Sequence, residues 1–214
     1  MKETASQKSN AANRSQRWLI RRVLRGIARA AFHLLADVQV EGKENLPAHG
    51  PVILVANHFH FTDPALMLSI SPWPPDFIGG FHMPNAPQFV TWIPRLWGII
   101  PVRRGTATTD ALRAAEDVLN RGGVLGVFPE GGNWATVLRP ARPGAAFLAV
   151  RTGVQLVPMG FDGLTDLFPG LKKGKRGHIT VRIGKPFGPF ANVGRGRERR
   201  QHLDEIGHEM MRHI

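Results

Sequence analysis

Two near-continuous apolar runs, VILVA at 52–56 and VLGVF at 124–128, stand out from a chain whose other segments mix apolar and polar positions. Strands buried on both faces read this way, and such strands belong to mostly parallel sheets covered by helices. Helical spacing recurs around them. Residues 64–70 read as a helix with Asp63 as N-cap and Pro64 at the first helical position. Residues 108–120 form an amphipathic helix closed by Gly122 and Gly123, and 144–151 and 199–214 repeat the helical period. Shorter strands are placed at 76–80, 98–102, 154–159 and 178–183, with 87–97 mixed. The alternation predicts an α/β fold: a single domain, without internal repeats, whose mostly parallel central sheet is flanked by helices. In such sheets chemistry collects beyond the carboxyl ends of strands, so the residues following VILVA and VLGVF are the first to inspect.

Ahead of the domain, residues 16–37 read as a basic amphipathic helix preceded by a disordered tail at 1–15, leaving 38–214 as the domain proper. Arg14, Arg17, Arg21, Arg25 and Arg29 recur every three or four residues, while Ile20, Val23, Leu24, Ile27, Ala31, Leu34 and Leu35 recur on the other side. Trp18 is placed for the headgroup boundary of a bilayer. Three arrangements are open: the helix binds an anionic membrane surface, it packs its apolar side on the domain and solvates its arginines, or it does both.

Charge sharpens this picture. The formal net charge is +12. Residues 1–36 hold eight Lys or Arg against one Glu, residues 171–200 hold ten against one, and the rest is mildly acidic. Two basic regions on an acidic body suit phospholipid headgroups or nucleic acid. No basic motif interleaved with aromatics supports specific nucleic-acid readout. The absence of cysteine excludes disulfides, thiolate metal sites and a cysteine nucleophile. No run of about 18 apolar residues is present to span a bilayer. Residues 1–17 lack the apolar core of a signal peptide. A protein on the cytoplasmic side, soluble or peripheral to the membrane, is expected.

The most informative octet follows VILVA: Asn57, His58, Phe59, His60, Phe61, Thr62, Asp63, Pro64. A carboxylate five residues after a histidine, across a tight loop, is positioned to accept its Nδ1 proton and leave Nε2 as a general base. His58 is the candidate base and Asp63 its orienter; a histidine hydrogen-bonded for structure alone is the alternative. His58, His60 and Asp63 also form an HxHxxD string of metal-ligand type, but no further histidine clusters with it, and no metal is expected. After VLGVF, Pro129 to Asn133 make a glycine-rich turn in which Gly131 is a candidate to approach an anion and Glu130 to bind a hydroxyl or orient a base; an ordinary turn is the alternative. The strand GIIPV is followed by Arg103 and Arg104, natural phosphate partners or solvated surface arginines. There is no G-x-S-x-G elbow, Walker A loop or GxGxxG.

Together these segments resemble the glycerophospholipid acyltransferase superfamily, whose bacterial members include PlsC-like 1-acylglycerol-3-phosphate acyltransferases. NHFHFTDP at 57–64 is similar to the family's NHx4DP block, GIIPVRRG at 98–105 to the second, FPEGG at 128–132 to the FPEGTRS block and QLVPMG at 155–160 to the fourth. The resemblance spans nearly the whole chain. It implies transfer of an acyl group from acyl-CoA or acyl-carrier-protein to a lysophospholipid hydroxyl, without an acyl-enzyme or a cofactor. His58 and Asp63 would form the catalytic dyad, and Arg103, Arg104, Glu130, Gly131, Asn133 and Arg142 would hold the acceptor.

The third block departs from the pattern: Gly132, Asn133 and Trp134 stand where the family has Thr, Arg and Ser. That removes a cation, leaving Arg139 or Arg142 as its replacement or a different acceptor headgroup. A membrane- or nucleic-acid-binding module that kept the fold and lost the chemistry is the alternative reading.

Overall fold

The computed structural model describes residues 5–80, 86–102, 109–132 and 137–214, with side chains of the first helix from Trp18 onward. Helix α1 (Ala5–Leu35) leads into strand β1 (Ala36–Glu41). The chain continues through β2 (Val52–Ala56), α2 (Asp63–Ile70), β3 (Asp76–Gly79), α3 (Ile93–Trp97), β4 (Ile100–Pro101), α4 (Thr109–Asn120) and β5 (Val124–Val127). It closes with α5 (Pro143–Thr152), β6 (Leu156–Asp162), α6 (Leu164–Lys172), β7 (Gly177–Ile183) and α7 (Gly196–His213). The strands order as β1-β7-β6-β2-β5-β3-β4. Every neighbouring pair is parallel except β6 with β7.

The two apolar runs lie side by side at the centre, with Val55 opposite Val127. Successive residues of β2 feed opposite layers, as the two-residue period of a strand requires. Val52, Leu54 and Ala56 join Phe32 of α1, Met67 of α2 and Leu167 of α6. Ile53 and Val55 join Leu119 of α4, Leu148 of α5, and Ile206 and Met210 of α7. Each such side chain taken from water contributes roughly 1.5–3 kcal/mol, which holds α2 although eight residues are too few for a stable isolated helix. Gly126 of β5 permits close approach: a Cβ there would lie 2.5 Å from the Phe77 ring and 3.0 Å from the Met67 sulfur.

The fold adds elements that the apolar pattern does not mark. Strand β1 is an edge strand with alternating burial, and α6 is a nine-residue helix carrying Pro169. The strand expected at 98–102 shortens to Ile100–Pro101, and α1 starts at Ala5, inside the expected tail.

The orientation of α1 departs from the alternative in which the helix packs on the domain and solvates its arginines. The helix packs on α2 and α3. Arg21 donates from Nε to the Trp97 carbonyl (3.0 Å) and pairs with Asp76 (2.5 Å). Arg25 donates to the Ser71 carbonyl, and Arg29 Nε to the Ser69 carbonyl at 2.8 Å. These carbonyls lie at the C-terminal ends of α2 and α3, where backbone acceptors lack helical partners and a cation is favoured. Part of the basic stripe therefore caps two helices. Leu24 and Phe32 pack inward beside it, while Trp18, Leu19, Val23, Ile27 and Leu34 remain exposed, Leu34 by 71%.

Candidate functional site

Because β2 and β5 are parallel neighbours in register, the loops that leave their carboxyl ends meet. The first is built by its own residues. Asp63 Oδ2 lies 2.8 Å from His58 Nδ1 and accepts the His60 backbone N–H at 2.8 Å. Asp63 does not act as the expected N-cap: Thr62 occupies that position, and the carboxylate turns back into its own loop. At 1% exposure it is shielded from solvent, which strengthens its hold on an imidazolium. With Nδ1 committed to Asp63, Nε2 is the nitrogen His58 offers to a substrate.

Three further contacts fix this histidine. Its ring stacks on Phe128 with centroids 4.3 Å apart. Its backbone N–H donates to Glu130 Oε1 at 2.8 Å. The preceding Asn57 exchanges hydrogen bonds with the backbone of Phe161 on β6, at 2.8 and 2.7 Å. Glu130, 3% exposed, spends its other oxygen on the Arg139 backbone N–H at 3.2 Å. One carboxylate oxygen thus joins the two loops, and the other closes the Glu130 loop on itself. Burial pushes the Glu130 carboxyl above its ordinary pKa, against the pull of these two backbone donors and of the Arg139 and His58 charges.

His60 is turned away from its neighbour: its Nδ1 meets Thr62 Oγ1 at 2.7 Å, and its ring leans on Phe61 and Phe168. Burial lowers its pKa, Asp63 opposes this, and His58 adds to the lowering. Among the described residues no group of three or more His, Asp or Glu side chains is placed to hold a metal ion.

His58 lines an apolar cavity of about 820 Å³. The volume is in the upper range for a small-molecule site. Its walls include Leu24 and Ile27 of α1, Ala65 and Leu68 of α2, and Trp97 of α3. Sequence reasoning identified no such wall, because the common surface depends on how α1 packs on α2 and α3. Of the candidate acceptor residues, Gly131 and Arg142 line this cavity with His58, whereas Glu130 lies behind it. Gly131 has φ of 72°, and a Cβ there would lie 2.6 Å from the Arg142 side chain. The arginine therefore lies across the turn where the third block lacks its own cation. Arg139 donates to the Gly132 carbonyl at 3.1 Å and is not a cavity residue. Arg103, Arg104 and Asn133 lie outside the described residues.

The family model described as Acyltransferase matches residues 37–162, which include both loops. The chain is 30% identical over 159 residues to a chloroplastic 1-acyl-sn-glycerol-3-phosphate acyltransferase of Arabidopsis thaliana, covering 70% of this chain and 43% of that protein. A 1-acyl-sn-glycerol-3-phosphate acyltransferase of Borreliella burgdorferi is 26% identical over 132 residues, covering 60% of this chain and 52% of its own. The chain spans about half or less of the length of these curated relatives. The crystal structure of the 1-acyl-sn-glycerophosphate acyltransferase PlsC from Thermotoga maritima aligns with a TM-score of 0.65 at 26% identity, over 94% of this chain and 81% of that one. With that fold around it and the matched region spanning the His58 and Glu130 loops, the chain belongs to the acyltransferase family, within the glycerophospholipid acyltransferase superfamily.

Proposed function

We propose that the protein is a membrane-peripheral O-acyltransferase that moves a fatty acyl group from acyl-CoA or acyl-carrier-protein to the hydroxyl of a lysophospholipid such as 1-acylglycerol-3-phosphate. The observation that carries this reading is the 2.8 Å His58–Asp63 pair on an 820 Å³ apolar cavity. His58 Nε2 removes the acceptor hydroxyl proton as the oxygen attacks the thioester carbonyl. The tetrahedral intermediate collapses, the C–S bond breaks, and the imidazolium returns the proton to the departing thiolate. Asp63 keeps Nδ1 protonated and stabilises the imidazolium between these transfers. Every atom is accounted for by the two substrates, so the reaction needs no resident cofactor.

The anionic end of the acceptor is assigned to Arg142 beside Gly131, a charge-assisted contact of the kind that suits a phosphate. Glu130 holds the His58 loop by accepting the His58 backbone N–H, which favours the positioning role over the substrate contact, the two roles its sequence left open. No helix among the described residues is long and apolar enough to cross a membrane. The exposed face of Trp18, Leu19, Val23 and Ile27 suits insertion into the interfacial region of a bilayer on the cytoplasmic side.

Thiol release from palmitoyl-CoA or palmitoyl-carrier-protein, measured with lysophosphatidate and with lysolipids of other headgroups, tests the reaction. Acceptor-dependent release with at least one pair is expected; release with none overturns the reading. Flotation with anionic vesicles tests the membrane face: Leu19→Ser with Val23→Ser should reduce recovery, and unchanged recovery contradicts that assignment.

A further inference from the structure

The cavity passes from one face of the sheet to the other. Side chains of β3 alternate between faces, and Phe77 belongs to the layer of α1, α2 and α3 while Ile78 packs with the layer of α4, α5 and α7. Both residues line the cavity. The passage is possible because β3 and β4 are short, ending at Gly79 and Pro101, and Gly79 and Val102 line it where the strands stop. One arm lies against Leu24 and Ile27 of α1 and Trp97 of α3; the other lies against Ala111 and Leu112 of α4 and Leu148 of α5. His58 faces the same cavity.

The two arms differ in what lies at their mouths. Ile27 bounds the first arm and is also 59% exposed, so that arm adjoins the outer apolar face of α1. The second arm follows α5 inward from Arg142, through Gly144 and Ala145 to Leu148. An acceptor whose phosphate sits at Arg142 has apolar wall along α5 for its chain. The reaction brings two alkyl chains to one hydroxyl, and a cavity with one arm on each face separates them.

We propose that the α4–α5 arm binds the acyl chain the acceptor already carries, while the donor chain lies in the α1–α3 arm, so that the two chain lengths are selected on opposite faces of the sheet. The proposal rests on the acyltransferase reading and adds a second lipid subsite to it.

Two glycines allow a reciprocal test. A Cβ added at Gly144 or Gly79 meets no atom of the described residues within 4 Å, and neither glycine has a positive φ, so a side chain at either position suits the backbone and starts into open space. With purified protein, Gly144→Leu should lower kcat/KM for long-chain relative to short-chain lysophosphatidate by about tenfold or more while keeping the wild-type order of donor chain lengths. Gly79→Leu should do the reverse, and Leu112→Ala should shift acceptor preference toward longer chains. Overturning results are a Gly144→Leu profile equal to wild type, a shift in its donor order, or both leucine variants changing the same substrate. Calorimetric binding of monomeric long-chain lysophosphatidate, read without turnover, should weaken in Gly144→Leu and not in Gly79→Leu; equal effects overturn the proposal. Wild-type protein that turns over no donor and acceptor pair overturns the acyltransferase reading, whereas active wild type with an unaltered Gly144→Leu profile overturns the second subsite alone.

Discussion

The loop after β2 and the loop after β5 meet at one site but are made in different ways. The first is closed by its own residues: His58, His60 and Asp63 satisfy one another within six positions. The second is organised from a distance, with Glu130 reaching His58 and Arg139, and Arg142 lying back across Gly131. In the proposed mechanism the group that needs fixed geometry at one atom thus lies in the loop closed mainly by local bonds, and the headgroup contact lies in the loop organised by longer-range ones. The altered third block illustrates the consequence: Asn133 and Trp134 replace residues of the family pattern, while the dyad in the first loop is intact.

The largest effect expected from this division is at Asp63. Asp63→Asn keeps the size of the side chain but removes the charge that holds the imidazolium, and should lower kcat by about a hundred- to ten-thousand-fold with little change in acceptor KM. A change confined to KM would place Asp63 in binding. Arg142→Gln should act in the opposite sense, lowering kcat/KM for lysophosphatidate by roughly 10- to 100-fold, as expected for loss of a charge-assisted contact, chiefly through KM. Equal loss with an acceptor that lacks the phosphate would contradict its assignment to the headgroup.

Glu130 joins the two loops, and its replacement sharpens the comparison. Glu130→Ala leaves two partly buried backbone N–H groups without these acceptors, at a cost of up to about 1–3 kcal/mol for each. Glu130→Gln keeps one acceptor and removes the titration. Since burial raises the folded-state pKa of this carboxyl, the folded protein binds the proton more tightly than the unfolded chain. The resulting stabilisation is present below the ordinary glutamate pKa of 4.5 and is lost as pH rises through the folded value. Urea unfolding across that window should show wild type losing this increment and Glu130→Gln lacking it. Identical slopes would contradict the assignment.

The same contrast explains what the sequence reveals. VILVA and VLGVF mark central strands because burial on both faces leaves continuous apolar runs. Strand β1 escapes notice because an edge strand alternates, and α6 because nine residues with Pro169 carry weak helical signal. Neither pattern encodes strand direction, so the antiparallel β7 is not legible. The His58–Asp63 pair is legible because its spacing is local. The partner of Glu130 is 72 positions away and leaves no such trace. The inward turn of Arg21, Arg25 and Arg29 is equally hidden, since it depends on where α2 and α3 expose their carbonyls.

The central claim is that His58 is the general base of acyl transfer. Acceptor-dependent thiol release by wild type and His58→Ala, with folding of both followed by circular dichroism, tests it most directly. Release by wild type is expected and, from a folded His58→Ala protein, a rate lower by at least about a hundredfold. A folded His58→Ala protein that releases thiol at the wild-type rate would contradict it.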